Sequence, residues 1–225
     1  MAAIFVSATG TGVGKTFVTA GLIRQLRRLG RHVDAVKPVV SGFDPAALLE
    51  SDPGLLLAAV GRPVTIEEVD RISPWRFAAP LSPDMAGARE GRAIDFAALS
   101  EFCRGAAAAA SPGRLFIEGI GGIMVPLDAT HTVLDLITAL RFPLLLVAGS
   151  YVGTISHTLT ALHVLARRNV DIAAVVVSQS KDSAASLDET VATIARFADA
   201  IDVVGLPRAD APEPDNAFAR IAELL

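Results

Sequence analysis

The 225-residue sequence predicts an α/β fold, a mostly parallel twisted sheet with helices on both faces. Three observations lead there. Short apolar runs alternate along the chain with stretches whose apolar residues recur at helical spacing. The short runs are apolar throughout, as strands covered on both faces should be. Glycine and proline mark many of the junctions between the two kinds of segment.

The elements follow in order. Ile4-Phe5-Val6-Ser7 is the first expected strand, and a glycine loop comes directly after it. From Thr16 a helix pattern begins: Phe17, Ala20, Ile23 and Leu26 share a face, Arg24, Arg27 and Arg28 form a solvated one, and Gly30 closes it. A second strand, residues 33–37, stops at Pro38. Residues 45–60 read as a helix interrupted by the turn Ser51-Asp52-Pro53-Gly54. Residues 72–83, with Pro74, Pro80 and Pro83 around Trp75, read as an ordered irregular loop. Residues 94–110 are helical; their alanine run is good helix sequence and not a linker. Then come a strand (115–117), a tight loop (118–122), a short helix (133–140) and a strand (142–147). A helix (155–167), a strand (172–177), a helix (185–198), a short strand (203–206) and a last helix from Asn216 complete the pattern. No repeat or boundary interrupts it, so residues 1–225 are expected to form one domain.

Composition narrows the class. With 52% hydrophobic and 20% charged residues, the chain has the makings of a substantial core and is not disordered. A net charge of −4 gives no general attraction to nucleic acid or anionic membrane. The single cysteine, Cys103, excludes an intrachain disulfide and a cysteine metal site, and is read as a small buried apolar residue. His32, His131, His157 and His163 show no metal-ligand spacing on a shared helix face. No segment approaches the ~20 apolar residues that span a bilayer. The apolar start lacks a basic leader pattern, so a cytoplasmic location is expected.

The strongest chemical signal is Gly10-Thr11-Gly12-Val13-Gly14-Lys15-Thr16, set between the first strand and the first helix. Glycines let backbone N–H groups approach phosphate oxygens where a Cβ would clash. The helix N-terminus adds partial positive charge. Lys15 reaches outer phosphates, and the Thr16 hydroxyl is placed to ligate magnesium. Thr9 stands where the commonest form of this phosphate loop has glycine. The fold class is therefore that of P-loop nucleotide-binding proteins.

Ligands of such sheets sit outside the carboxyl ends of the strands. Lys37 ends the second strand and Glu118 the third, so both are expected on the phosphate rim: the lysine to stabilise charge, the glutamate to hold magnesium. Asp52, before Pro-Gly, reads first as a turn former. Gly153-Thr154-Ile155-Ser156 starts a helix with hydroxyls and free N–H groups, which suits capping or a second anion such as a substrate carboxylate.

Together these residues resemble the dethiobiotin synthetases along nearly the whole chain. The likeness runs through Thr9 to Thr16, Val36-Lys37-Pro38-Val39 with Ser41-Gly42, Ser51-Asp52, and Ser73 to Pro80 with Ser82-Pro83. It continues in Glu90-Gly91-Arg92, Glu118-Gly119-Ile120-Gly121-Gly122 with Pro126-Leu127, Gly153 to His157, and Gly205-Leu206-Pro207. It implies a homodimer that turns 7,8-diaminononanoate, carbon dioxide and ATP into dethiobiotin, ADP and phosphate. By that likeness Lys37 and Lys15 are catalytic, and Thr16, Asp52 and Glu118 hold magnesium. Gly12, Val13, Gly14, Lys15, Thr16 and Phe17, with Gly119, Ile120 and Gly121, surround the nucleotide phosphates. Thr11, Lys37 and Ser41 face the substrate, and Gly153, Thr154, Ile155 and Ser156 hold its carboxylate across the dimer interface.

The sequence departs from that family's pattern in places. Ala8 stands where many members have glycine, and Gly10 and Gly12 replace acids found in some. Ser178 and Gln179 take the place of an asparagine and an acid that read the adenine edge, with Pro207, Arg208, Ala209 and Asp215 placed near the base. Two other classes compete. A related ATP-dependent amidoligase would act on a different diamine or acid. A positioning ATPase switch usually carries a second lysine early in the loop, where Thr9, Gly10 and Thr11 stand here, and a membrane-targeting tail that residues 216–225 are too short and acidic to provide.

Overall fold

A computed structural model describes residues 3–110, 112–181, 183–208 and 214–225, without the side chains of 214 and 215. Its strands are β1 (Ala3–Ala8), β2 (Val33–Val36), β3 (Val39–Ser41), β4 (Trp75–Phe77), β5 (Arg114–Glu118), β6 (Leu144–Ala148), β7 (Ile172–Ser178) and β8 (Val203–Leu206). Its helices are α1 (Lys15–Arg28), α2 (Asp52–Val60), α3 (Ile66–Ile72), α4 (Pro83–Arg89), α5 (Phe96–Ala109), α6 (Val133–Leu140), α7 (Thr154–Arg167), α8 (Leu187–Ala195) and α9 (Pro214–Glu223). Six strands form one sheet in the order β2-β5-β1-β6-β7-β8, and every registered pair is parallel.

The sheet is covered twice because its strands are apolar on both sides. Successive residues of a strand face opposite ways. Ile4 and Val6 of β1 join Leu145, Val147 and Val176 in a core closed by Val18, Leu22 and Leu26 of α1 and by Phe218 and Ile221 of α9. Phe5, Ile117, Leu146 and Val175 face the other way, onto Leu99 of α5, Ile137 of α6, Leu165 of α7 and Ile194 of α8. Each fully buried side chain of this size contributes ~1.5–3 kcal/mol. α1 and α9 meet so closely that a Cβ on Gly21 would lie 2.0 Å from the Phe218 ring.

Local signals set the ends. Ser51 is extended, and its hydroxyl accepts from the Gly54 N–H, so the expected interruption of 45–60 is a helix cap. A 3₁₀ turn, Pro45–Glu50, precedes it, and Asp52 lands in the first turn of α2. Asp95 caps α5 by accepting from Ala97 and Ala98. Ser186 and Glu189 cap α8 reciprocally.

One stretch differs from expectation. Residues 72–83 are not an irregular loop: they contain β4, which pairs in parallel with β3 through Val39↔Trp75 and Ser41↔Phe77. The prolines flank this strand and take no place inside it, so its ladder is intact. α3 precedes it, capped by Thr65; it is short and charge-rich enough to hide its helical period. Pro83 opens α4, a position where the missing N–H costs nothing.

Candidate active site

Sheet order brings the chemistry together. β2, β5 and β1 are neighbours, with Val6 opposite Glu118 and Val36 opposite Ile117. The glycine loop after β1, Lys37 after β2 and Glu118 at the end of β5 therefore leave one edge of the sheet side by side.

The loop is built for an anion. Gly12 and Gly14 have φ of 73° and 96°, in the left-handed region that favours glycine. Gly14 also packs against the next neighbour: a Cβ there would lie 2.7 Å from Ser178 Oγ. No side chain caps α1, so its first N–H groups stay open to a ligand. The Lys15 side chain folds back over the loop, its Nζ 3.4 Å from the Gly10 carbonyl. Burial, reinforced by the neighbouring Lys37 charge, pulls the Lys15 pKa down from 10.5 to about 8. A cation held at this cost is favoured by any anion placed beside it.

Behind the loop lies a compact ionic group. Lys37 is 2% exposed and Glu118 0%. Lys37 Nζ donates to Glu118 Oε1 at 2.8 Å and to the Gly119 carbonyl at 2.9 Å, and lies 3.1 Å from Asp52 Oδ2. The Thr16 hydroxyl lies 2.8 Å from both Asp52 Oδ1 and Glu118 Oε1. Burial opposes the charge on Lys37, but the two carboxylates outweigh it and hold its pKa above the ordinary value. Burial likewise opposes the Asp52 charge, and Lys37 and the Thr16 hydrogen bond overcome it, so Asp52 stays below the usual carboxylate range. Glu118 Oε2, Ser41 Oγ and Thr9 Oγ1 are buried without a protein partner.

Two hollows flank the loop. One, of about 620 Å³, is lined by Thr11, Gly12, Gly14, Lys15, Thr16, Phe17, Lys37, Ser41 and Asp52, with Ile120 and Gly121. The other, of about 350 Å³, is lined by Gly12, Val13, Gly14 and Phe17 together with Ser178, Gln179 and Arg208. There Gln179 Oε1 accepts from the Arg208 N–H at 3.2 Å.

Most of the residues singled out in the sequence thus meet around the loop, and a few do not. Gly119 lines neither hollow; its carbonyl serves Lys37. Pro207 lines neither as well. Gly153, Thr154, Ile155 and Ser156 lie outside both hollows of this chain, and the Thr154 hydroxyl is engaged by the Gly149 carbonyl at 2.7 Å. Ala209 and the Asp215 side chain lie outside the described residues. Sequence reasoning missed the apolar wall of the larger hollow: Val40, Pro80, Leu81, Pro83 and Val125, with Ser82 among them. The pairing of β3 with β4 brings Val40 and residues 80–83 together, and Val125 joins them from the loop after β5.

The parallel sheet, the glycine turn and the lysine at the helix start define a P-loop nucleotide-binding protein. Comparison with known proteins sharpens this. A family model described as an AAA domain matches residues 2–210. A curated relative from Methylobacterium nodulans, named ATP-dependent dethiobiotin synthetase, is 50% identical over 203 residues, 88% of this chain and 90% of its own. A Caulobacter relative of the same name is 49% identical over 212 residues, 93% of this chain and 90% of its own. The chain belongs to the ATP-dependent dethiobiotin synthetase family. Among solved structures, the Pyrococcus furiosus cell division ATPase MinD is similar, with a TM-score of 0.56 at 16% identity, covering 100% of this chain and 98% of that one. The signal recognition particle 54 kDa protein of Aeropyrum pernix gives 0.58 at 14% identity, covering 99% of this chain and 47% of that one. These two likenesses concern the fold alone.

Proposed function

We propose that this protein closes the ureido ring of dethiobiotin, using 7,8-diaminononanoate, carbon dioxide and ATP and releasing ADP and phosphate. One arrangement carries the reading: two buried lysines beside a phosphate loop, lining a cavity large enough for a second substrate. Family membership supplies the substrate class.

The chemistry suits these groups. One amine adds to carbon dioxide, loses a proton and becomes a carbamate. A carbamate oxygen attacks the γ-phosphorus, ADP leaves, and a carbamic–phosphoric anhydride forms. The second amine attacks the carbonyl, phosphate departs and the ring closes. The difficult step brings two anions within reacting distance. Lys15 and Lys37 offset that repulsion, and the open N-terminus of α1 adds to them. Thr11 and Ser41 are proposed to orient the diamine; the unpartnered Ser41 Oγ in the cavity lining supports this.

Thr16, Asp52 and Glu118 would hold magnesium. Their donors are all hard oxygens, and the unpartnered Glu118 Oε2 fits a further ligand. Among the described residues no cluster of three or more acidic, histidine or cysteine side chains could hold a metal by itself. Bound at Thr16, Asp52 and Glu118, magnesium would neutralise charge on the transferred phosphoryl group.

Further parts of the reading are proposals of the same kind. The base lies in the smaller hollow against Ser178, Gln179 and Arg208. The start of α7, Gly153 to Ser156, serves the substrate carboxylate of the other subunit of a homodimer. Residues 1–225 act as one domain, in the cytoplasm. Among the described residues no helix is long and apolar enough to cross a membrane.

The test is product formation. Pure protein given ATP, magnesium, bicarbonate and 7,8-diaminononanoate is expected to yield dethiobiotin by mass spectrometry. Phosphate release that ignores the diamine, with no dethiobiotin, would overturn the assignment and favour an ATPase switch.

A further inference from the structure

We propose that the Lys37 ammonium is the resting occupant of the divalent-cation position, and that metal–nucleotide loading frees Lys37 for the substrate. The inference rests on the assignment of Thr16, Asp52 and Glu118 as the oxygen ligands.

The geometry is specific. The ammonium meets three oxygens: Glu118 Oε1 at 2.8 Å, Gly119 O at 2.9 Å and Asp52 Oδ2 at 3.1 Å. An ammonium has three N–H donors, so Lys37 has none left for a carbamate or a phosphoryl oxygen. The Thr16 hydroxyl reaches the other oxygen of Asp52 and the same Oε1 of Glu118. Lysine and threonine thus share the acceptors that a cation at Thr16 would need. Lys15 contrasts with this: its described hydrogen bond is a single long one, to Gly10 O at 3.4 Å.

Charge gives the reason. A carboxylate as buried as Glu118 cannot stand alone beside Asp52 without a cation between them. Lys37 is the cation in direct contact with both carboxylates. With both carboxylates engaged by a divalent ion, the Lys37 ammonium, which already lines the reacting hollow, would lose their hold. Leaving earlier would expose two adjacent negative charges to each other. The order of events follows: the metal and nucleotide arrive first, and Lys37 becomes available to the carbamate afterwards. By linkage, an anion that draws Lys37 away must tighten the metal by the same factor.

The experiment uses Mn²⁺ as the probe, with ADP present and free Mn²⁺ read by electron paramagnetic resonance. Lys37→Met removes the competing charge at nearly constant length. It is expected to bind Mn²⁺ about tenfold or more tighter than the wild type, whereas Lys37→Arg is expected to bind no tighter. Equal or weaker Mn²⁺ binding by Lys37→Met would overturn the exchange. The wild type gives a second readout that needs no variant to fold. The ¹⁵N resonance of the Lys37 ammonium should be protected from solvent at rest and change position and protection on addition of Mg²⁺ and ADP. A Lys37 signal that stays as it was would overturn the proposal. Both readouts are independent of turnover: a protein that exchanged in this way yet made no dethiobiotin would lose the functional assignment and keep the exchange.

Discussion

The edge of the sheet at β1, β2 and β5 holds buried charges of both signs, whereas the edge at β7 and β8 is polar and more exposed. On the first, Lys37 and Glu118 are buried together and Asp52 joins them from a side chain 44% exposed. On the second, Ser178 and Gln179 bring to the smaller hollow a hydroxyl and an amide, and the cations beside them, Lys181 and Arg208, are exposed. The difference teaches where the sequence commits most. Charge in a low-dielectric site is strong and unforgiving, so the residue types there are fixed by the reaction. Neutral hydrogen bonds to a base are weaker, and several residue types can supply them.

If that contrast holds, substitutions on the buried ionic edge must cost far more than those on the exposed polar one. Lys37→Ala is expected to lower kcat on the order of 10³-fold. Circular dichroism should still report a folded chain, and near-normal turnover would remove Lys37 from the mechanism. Glu118→Gln keeps volume but strips Lys37 of its closest partner. Urea unfolding is expected to show a loss of about 3 kcal/mol, the usual cost of breaking a buried ion pair. A loss under about 1 kcal/mol would mean that the group behaves as a surface pair.

Gly14→Ala probes the seam between the two edges. It forces a Cβ into a φ of 96° and to within 2.7 Å of Ser178 Oγ. ADP affinity should fall at least about tenfold, from ~1–3 kcal/mol of local strain. Adding Ser178→Gly relieves the clash and not the backbone, so it should restore only part of the affinity.

A titration effect comes next. The Lys15 pKa in the folded chain is about 8, below its ordinary 10.5. Between those values the unfolded chain holds a proton that the folded chain has released. The Lys15 contribution therefore makes stability rise with pH from 8 to 10.5, and below 8 the charged lysine is a cost. Lys37, shifted the other way, loses its own contribution only above that window. Phosphate beside Lys15 reverses its shift. ADP binding should take up close to one proton at about pH 9 and almost none at about pH 7. Calorimetry in buffers of different ionisation enthalpy reads this directly, and pH-independent uptake would contradict it. The smallest effect is expected on the exposed polar edge: Gln179→Ala should change the KM for ATP less than about fivefold.

The same contrast explains what could be read from the chain. The loop at Gly10 to Thr16 was legible because few residues other than glycine suit its backbone and because lysine and threonine stand at a helix start. Lys37 and Glu118 were legible because each ends an apolar strand on the rim where the phosphate loop also lies. The apolar wall from Pro80 to Pro83 was not, since β3 and β4 are three-residue strands whose pairing leaves no period in sequence. Asp52 looked like a turn former, and it does open α2 after the Ser51 cap. Its ion pair with Lys37 follows from the packing of α2 beside the phosphate loop, which no local pattern displays. The start of α7 reads as a helix cap or an anion site, and within this chain its threonine hydroxyl donates to the Gly149 carbonyl.

The most direct test of the account is stoichiometry in one reaction. ADP and dethiobiotin should be counted together while 7,8-diaminononanoate is varied at saturating ATP, magnesium and bicarbonate. A single charged edge serving both substrates requires one dethiobiotin for each ADP and almost no ADP when the diamine is left out. Steady ADP release without the diamine, unchanged on adding it, would contradict the account.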